Sequence, residues 1–271
     1  MNKEEKALLR AVMPTQTNNI LSRRTLRGDF KRLEDVLESG QNVLDVGCGT
    51  GAITVGIAER VGLHGTVHGI DINPRLVNDA KLAHGSHNGL IFLVANILDF
   101  PYDQQFDLVV SSRVLQWLSD PRRALKAMMQ ATKPGGKVIV LDYNHTKLQW
   151  SPTASLSLTF FHDKYLAWRS DAGMDNEIAD HLAELFQQTG LENITVIPHH
   201  ETTKRGDEDF FEQIKIKVEV AASRGHQLVD EGWLTEEQRA CAEHEGRDWI
   251  KHVAHSQTLY LLCVEGTRPL I

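Results

Sequence analysis

Five short apolar runs alternate with three amphipathic stretches in the first half of the chain, and this alternation restricts the fold more than any other feature. The runs are NVLDV (42–46), TVHGI (66–70), LIFLVA (90–95), FDLVVS (106–111) and KVIVLD (137–142). Apolar side chains at consecutive positions need burial on both faces of a sheet, as in parallel strands covered by helices. The stretches between them, AITVGIAERV (52–61), PRLVNDAKLAH (74–84) and PRRALKAMMQAT (121–132), place apolar residues at helical spacing. Pro74 and Pro121 sit where a helix begins, and Gly135-Gly136 follows an end. Strand and helix in this order predict an α/β fold with a doubly wound, mostly parallel sheet.

Two later runs, NITVIPH (193–199) and TLYLLCV (258–264), bring the expected total to seven strands. The stretches EDFFEQIKIKVEVAASR (208–224) and TEEQRACAEHEGRDWIKHVA (235–254) are helical in pattern. We expect one domain over residues 1–271, with a ligand-binding core at about 27–147. Helical segments at about 148–189 and 206–255 would cap the carboxyl ends of the strands, where sites in open parallel sheets lie.

Charge narrows the choice of partner. The net charge is -7, and residues 206–248 hold twelve Asp/Glu against five Lys/Arg. Without a basic cluster to neutralise phosphates, a nucleic-acid partner is disfavoured. Cys48, Cys241 and Cys263 are too few and too scattered for a disulfide framework or a zinc site, so reduced, cytoplasmic thiols are expected. The groupings His199-His200, Cys241-x-x-His244 and His252-x-x-His255 lack metal-site spacing, so no metal is expected. The opening MNKEEKALLRAVMP has no signal-peptide core, and no run of about 18 apolar residues predicts a membrane span. Oligomeric state has no sequence signal here.

The stretch NVLDVGCGTGA (42–52) carries the ligand chemistry. Gly47, Gly49 and Gly51, with Cys48 among them, allow a tight strand-to-helix turn and close approach of a ligand to backbone. Gly47-x-Gly49-x-x-Ala52 also satisfies a dinucleotide fingerprint. Asp45 separates the two readings. Beside a pyrophosphate, its carboxylate would cost about 4 kcal/mol at roughly 4 Å and an effective dielectric of about 20. A ligand bearing an ammonium and a sulfonium, such as S-adenosylmethionine, would reverse that sign, directly or through a water. Asp71, ending the second strand in HGIDINP, is placed to accept ribose hydroxyls, and Ile72 to pack on adenine.

The segments VLDVGCGTG, GID, ANILDFPYDQQFDLVVSSRVLQWLSDP and KPGGKVIV resemble the class I S-adenosylmethionine-dependent methyltransferases. The small-molecule branch is the nearest, including ubiquinone/menaquinone-biosynthesis-like and trans-aconitate-like enzymes. The resemblance covers residues 27–145 and implies a Rossmann-like sheet, a small-molecule acceptor and S-adenosyl-L-homocysteine as product. It implies that Gly47, Gly49 and Gly51 line the methionine and ribose, and that Asp71 binds ribose. Asn96 stands where the family usually has an Asp that accepts from the adenine amino group; its amide oxygen can accept, but without charge. The Ile97 backbone N–H would face adenine, and Ser111 and Ser112 the methionine portion. Arg27, with Arg24 as its rival, occupies the stretch where relatives carry an Arg for the methionine carboxylate.

Acceptor-side candidates follow from position. Tyr143 and His145, in DYNHTKLQW after the fifth strand, are the candidate proton acceptors. Trp117 is either a packing residue or a wall of the acceptor pocket. The aromatic segment LTFFHDKYLAWRSDAGM offers Phe161, His162, Tyr165, Trp168 and Arg169, as pocket lining or as the core of the cap. Arg169 would matter if the acceptor were a carboxylate. Other readings are a nucleic-acid methyltransferase, for which SSRVLQW lacks the Asn/Asp-Pro-Pro-aromatic signature, a nicotinamide oxidoreductase, and a non-catalytic S-adenosylmethionine-binding module.

Overall fold

A computed structural model describes residues 1–12, 21–99 and 101–270. Met13 and Pro14 of the opening segment and Phe100 of the longest motif lie outside the described residues. In chain order the elements are α1 (Lys3–Ala11), α2 (Leu26–Asp29), α3 (Lys31–Val36), β1 (Asn42–Val46), α4 (Ala52–Val61), β2 (Thr66–Asp71), α5 (Pro74–His84), β3 (Leu90–Val94), β4 (Phe106–Ser112) and α6 (Pro121–Ala131). They continue with β5 (Thr132–Ser151), α7 (Leu156–Asp171), α8 (Ile178–Thr189), β6 (Glu192–Pro198), β7 (Glu201–Lys204), α9 (Phe210–Ile214), α10 (Ile216–Ser223), α11 (Gly225–Asp230), α12 (Glu236–His252) and β8 (Ser256–Thr267).

The sheet has eight strands in the order β3-β2-β1-β4-β5-β8-β6, with β7 also paired to β8. β1 to β5 run parallel to one another, and β8 is antiparallel to β5, β6 and β7. The expected doubly wound, mostly parallel Rossmann-like sheet is present, but with eight strands rather than seven. The additional strand is β7, whose ETTK sequence is polar at an exposed edge and offers no apolar run. Helix starts follow local chemistry: Asn73 caps α5 ahead of Pro74, and Asp120 caps α6 ahead of Pro121.

Two apolar layers cover the sheet. One gathers Phe30, Leu33, Ile57 and Val77 over one face; the other gathers Leu125, Met128, Leu182 and Phe186 over the other. Helix α8 belongs to the second layer through Ile178, Leu182 and Phe186, so residues 178–189 cover the sheet rather than the strand ends. A third cluster joins Leu158, Phe161, Tyr165 and Trp168 of α7 to Phe210, Val218, Leu228 and Trp249 of α9 to α12. This helical cap has its own core, which is why its apolar stripes have no seats on the sheet.

Candidate functional site

The glycine turn is built from three left-handed residues with separate duties. Gly47, Gly49 and Gly51 have φ of +79°, +55° and +78°. Backbone N–H groups of Gly47 and Cys48 both donate to the Ile70 carbonyl, at 2.8 and 3.0 Å, tying the turn to β2. A Cβ at Gly47 would stand 2.2 Å from a Val114 methyl, and one at Gly51 would stand 2.7 Å from the Phe92 ring. Only at Gly49 is the approach open, the nearest atom being a Leu21 methyl at 3.9 Å. Gly51 therefore fits the helix to β3 instead of lining a ligand. Cys48 packs in the sheet core, and burial pushes its thiol well up.

Asp45 also lies beneath the turn rather than on a ligand surface. Its buried carboxylate accepts from Thr54 Oγ1 of α4 at 2.7 Å. Burial pushes its pKa up to about 6, against the Thr54 hydrogen bond. The carboxylate braces turn against helix, so its charge argument applies to the turn at a distance and not to a contact.

A largely apolar cavity of about 620 Å³ opens above the carboxyl ends of the strands. One part of its wall is Gly47, Gly49, Asp71, Ile72, Asn96 and Ile97. Asp71 accepts from the Gly49 N–H at 3.0 Å and from the Asn73 N–H at 2.8 Å. Burial raises its pKa, opposed by these two donors. Asn96 turns its amide inward on its own loop: Oδ1 accepts from the Leu98 N–H and Nδ2 donates to Asp99, each at 3.1 Å. Ser111 is fully buried and donates to the Val46 carbonyl at 3.1 Å, whereas Ser112 reaches the wall. Arg27 is exposed on α2 away from the cavity; Arg24, three residues earlier, is on the wall.

The rest of the wall comes from β5, the loop after β4, α1 and α10. Tyr143, His145 and Trp117 all line it. Tyr143 accepts from Arg113 Nε at 2.9 Å, and Arg113 is in turn paired with Glu201. His145 stacks on Tyr143 with centroids 5.2 Å apart. Its Nε2 lies 2.5 Å from Gln116 Oε1, and Gln116 Nε2 donates to the Arg113 carbonyl at 3.1 Å. Because that amide orientation leaves Oε1 as an acceptor, His145 carries its proton on Nε2. Its Nδ1 then accepts from Lys217 Nζ at 3.4 Å. Burial, with Lys217 nearby, holds His145 well below the usual histidine pKa, so the ring is neutral.

Four acceptor-side candidates are not on the cavity wall, Phe161, His162, Trp168 and Arg169, whereas Tyr165 is on it. Trp168 is fully buried in the cap core, and Arg10 lies over its ring at 4.8 Å. His162 contacts the His145 carbonyl at 3.2 Å, and burial lowers its pKa to about 3. Arg169 is fully buried and committed to the protein: Nη2 donates to the Gln116 carbonyl at 2.7 Å and Nε to Asn176 Oδ1 at 2.8 Å. It also lies 4.5 Å over Trp117, whose ring Arg224 approaches at 4.1 Å. Arg169 is thus a strut behind the wall, not a grip for a carboxylate.

Sequence reasoning missed Lys217, Arg224 and Arg113. Lys217 had a signal: with Ile214, Val218 and Ala221 it falls on one apolar helical stripe, an unusual place for a cation. Arg113 adopts φ +62°, which its sequence does not announce. No helix among the described residues is long and apolar enough to cross a membrane. Among the described residues, no group of three or more His, Cys, Asp or Glu is arranged to hold a metal ion.

Comparison with known proteins adds an independent line. A family model described as a methyltransferase domain matches residues 37–196. A demethylmenaquinone methyltransferase of Geobacillus stearothermophilus is 30% identical over 201 residues, 67% of this chain and 85% of that protein. The protein so named from Alkalihalophilus pseudofirmus is 28% identical over 185 residues, 63% of this chain and 77% of its own length. Among solved structures, phosphoethanolamine N-methyltransferase 2 of Haemonchus contortus superposes with a TM-score of 0.55 at 18% identity. That match covers 95% of this chain, which spans 54% of the other.

Proposed function

Because this chain belongs to the methyltransferase domain family and is an S-adenosylmethionine-dependent enzyme, we propose that it methylates a small, largely apolar acceptor inside the cavity under the cap. One observation carries the reading: the open Gly49 backbone and the Asp71 carboxylate share a single cavity with Tyr143, His145 and Trp117. The relatives' names, with identities of 28–30%, support an acceptor of quinol or phenol size, related to demethylmenaquinone without being fixed as that compound.

The residues present fit the donor. A Cβ at Gly49 would stand in space the cavity leaves open, and Asp71 keeps acceptor capacity beyond its two backbone donors. Asp71 would hold the ribose hydroxyls, Ile72 and Ile97 would cover the adenine, and Arg24 would meet the methionine carboxylate. When bound, the donor supplies a methyl group already activated for displacement by its positive sulfur. The chain's task is then alignment and exclusion of water. Alignment can supply roughly 7–11 kcal/mol of barrier reduction. Helices α1 and α10 wall the cavity and would limit water, and apolar walls favour dispersal of the sulfonium charge. Tyr143 and His145 would position the acceptor. A cytoplasmic setting fits the three unpaired thiols.

The test combines transfer and binding. Incubation with methyl-labelled donor and a panel of quinols and phenols is expected to label at least one acceptor. Calorimetry should show Arg24→Ala weakening donor affinity about tenfold or more, the loss of one charge-assisted contact, with Arg27→Ala unchanged. No labelled product with any acceptor would defeat the reading.

A further inference from the structure

We propose that Lys217 is the acceptor-side base: its side-chain amine takes the proton of an acidic acceptor hydroxyl, a phenol or an enol, and holds the oxyanion so formed. The proposal rests on the methyl-transfer reading above and names the acceptor class for that site.

Lys217 is 8% exposed, yet it lines the cavity from the start of α10. Its Nζ sits 3.4 Å from His145 Nδ1 and 6.0 Å from the centroid of Tyr143, the two residues that bound the acceptor space on β5. His145, held neutral, offers it at most a lone pair on Nδ1 and no counter-charge. The other charged or titratable groups that act on it are Arg169 and His162 from α7 and Glu201 from β7. Glu201 is itself spent on Arg113. Among the described residues, no carboxylate lies within ion-pair distance of the Lys217 ammonium. A cation this buried without a counter-ion is costly, and the cheap relief is to lose its proton. Burial, with Arg169, accordingly lowers its pKa to about 7.

Two of the other cations on this wall have recorded partners. Arg113 meets Tyr143, Ser112 and Glu201, and Arg224 donates to the Arg10 carbonyl at 2.6 Å. Lys217 is the amine that a hydroxyl entering beside His145 and Tyr143 would meet. The O–H bond of the acceptor breaks, its electron pair stays on oxygen, and the proton forms the third N–H bond of an ammonium. The products are an oxyanion and the cation that pairs with it. The surrounding cations favour the negative product and oppose a cationic amine acceptor, which would face Lys217, Arg113 and Arg224 together.

The experiment uses the full chain saturated with S-adenosyl-L-homocysteine, with 4-nitrophenol as the probe and visible absorbance of its phenolate as the readout. Wild-type protein is expected to shift the probe's titration downward by about one unit, a tenfold gain in ionised fraction at a fixed acidic pH. Lys217→Met should abolish the shift while S-adenosyl-L-homocysteine binding, followed by calorimetry, is unchanged. Lys217→Arg, which keeps the charge, should retain the shift while losing turnover, since a guanidinium accepts no proton. An equal shift in Lys217→Met, or none in wild type that binds S-adenosyl-L-homocysteine, would overturn the proposal. Wild type that fails to bind S-adenosyl-L-homocysteine would remove the methyl-transfer reading and the proposal with it.

Discussion

The two halves of the cavity are assembled in opposite ways. The donor side is built around one short stretch: residues 45–51 make a turn whose contacts reach α4, α5, β2, β3, β4 and the loop after β4. The acceptor side is long-range: Lys217 meets His145 across 72 positions, and Arg113 meets Glu201 across 88. The donor side depends on backbone shape, with the Asp71 carboxylate positioned by N–H groups and Asp45 by the Thr54 hydroxyl. The acceptor side depends on buried side-chain charges that constrain one another. Damage should accordingly be sharp and confined in the first half, and spread through stability in the second.

The largest expected effect is at Gly47. Gly47→Ala combines a left-handed backbone with a Cβ 2.2 Å from Val114, so the turn must move. Calorimetry should show donor affinity falling by about a hundredfold or more, the size expected when a mispositioned turn forfeits its contacts. Adding Val114→Ala should restore part of the loss, because it relieves the clash but not the φ. Unchanged affinity in Gly47→Ala would break the claim that backbone shape governs this side.

Arg169→Met probes the other half. It leaves the Gln116 carbonyl and Asn176 Oδ1 without a buried donor, at about 1–3 kcal/mol each. A fall of about 5–10 °C in the thermal midpoint is expected, with donor affinity unaltered. An unmoved midpoint together with a specific loss of binding to carboxylate acceptors would restore Arg169 as a ligand residue.

The smallest effect sharpens the role of Asp45. Its folded pKa, about 6, lies above the ordinary carboxylate value, so folding favours the protonated form. Stability linked to Asp45 is therefore present below the unfolded value and is lost as pH rises through about 6. Asp45→Asn, which keeps an acceptor for Thr54, should melt a few degrees above wild type at neutral pH and lose that advantage in acid. An advantage that grows in acid would show that the carboxylate stabilises the fold as an anion.

Helices α4, α5 and α6 and strands β1 to β4 were legible because their apolar periodicity, proline starts and caps act within a few residues. Asp71, Ile72 and Ile97 were legible too, since the ends of parallel strands define where a cavity opens. The gaps have physical causes. β7 carries no apolar run, because it lies at an exposed edge. Arg24 and Arg27 share the same local pattern, and only packing sends one to the cavity and the other to solvent. His162, Trp168 and Arg169 share α7 with Tyr165, which lines the cavity, but Trp168 packs in the cap core and the other two bond to the protein behind the wall.

The sequence alone determined the parallel sheet, the glycine turn and the acid at the end of β2, because each arises from the conformational preferences of neighbouring residues. The tertiary structure decided which glycines line the cavity, whether Arg24 or Arg27 reaches the wall, and that Lys217 meets His145. Those outcomes depend on what arrives from distant elements to fill or vacate a given volume, and on burial, which sets the charge of a side chain only after the chain has folded.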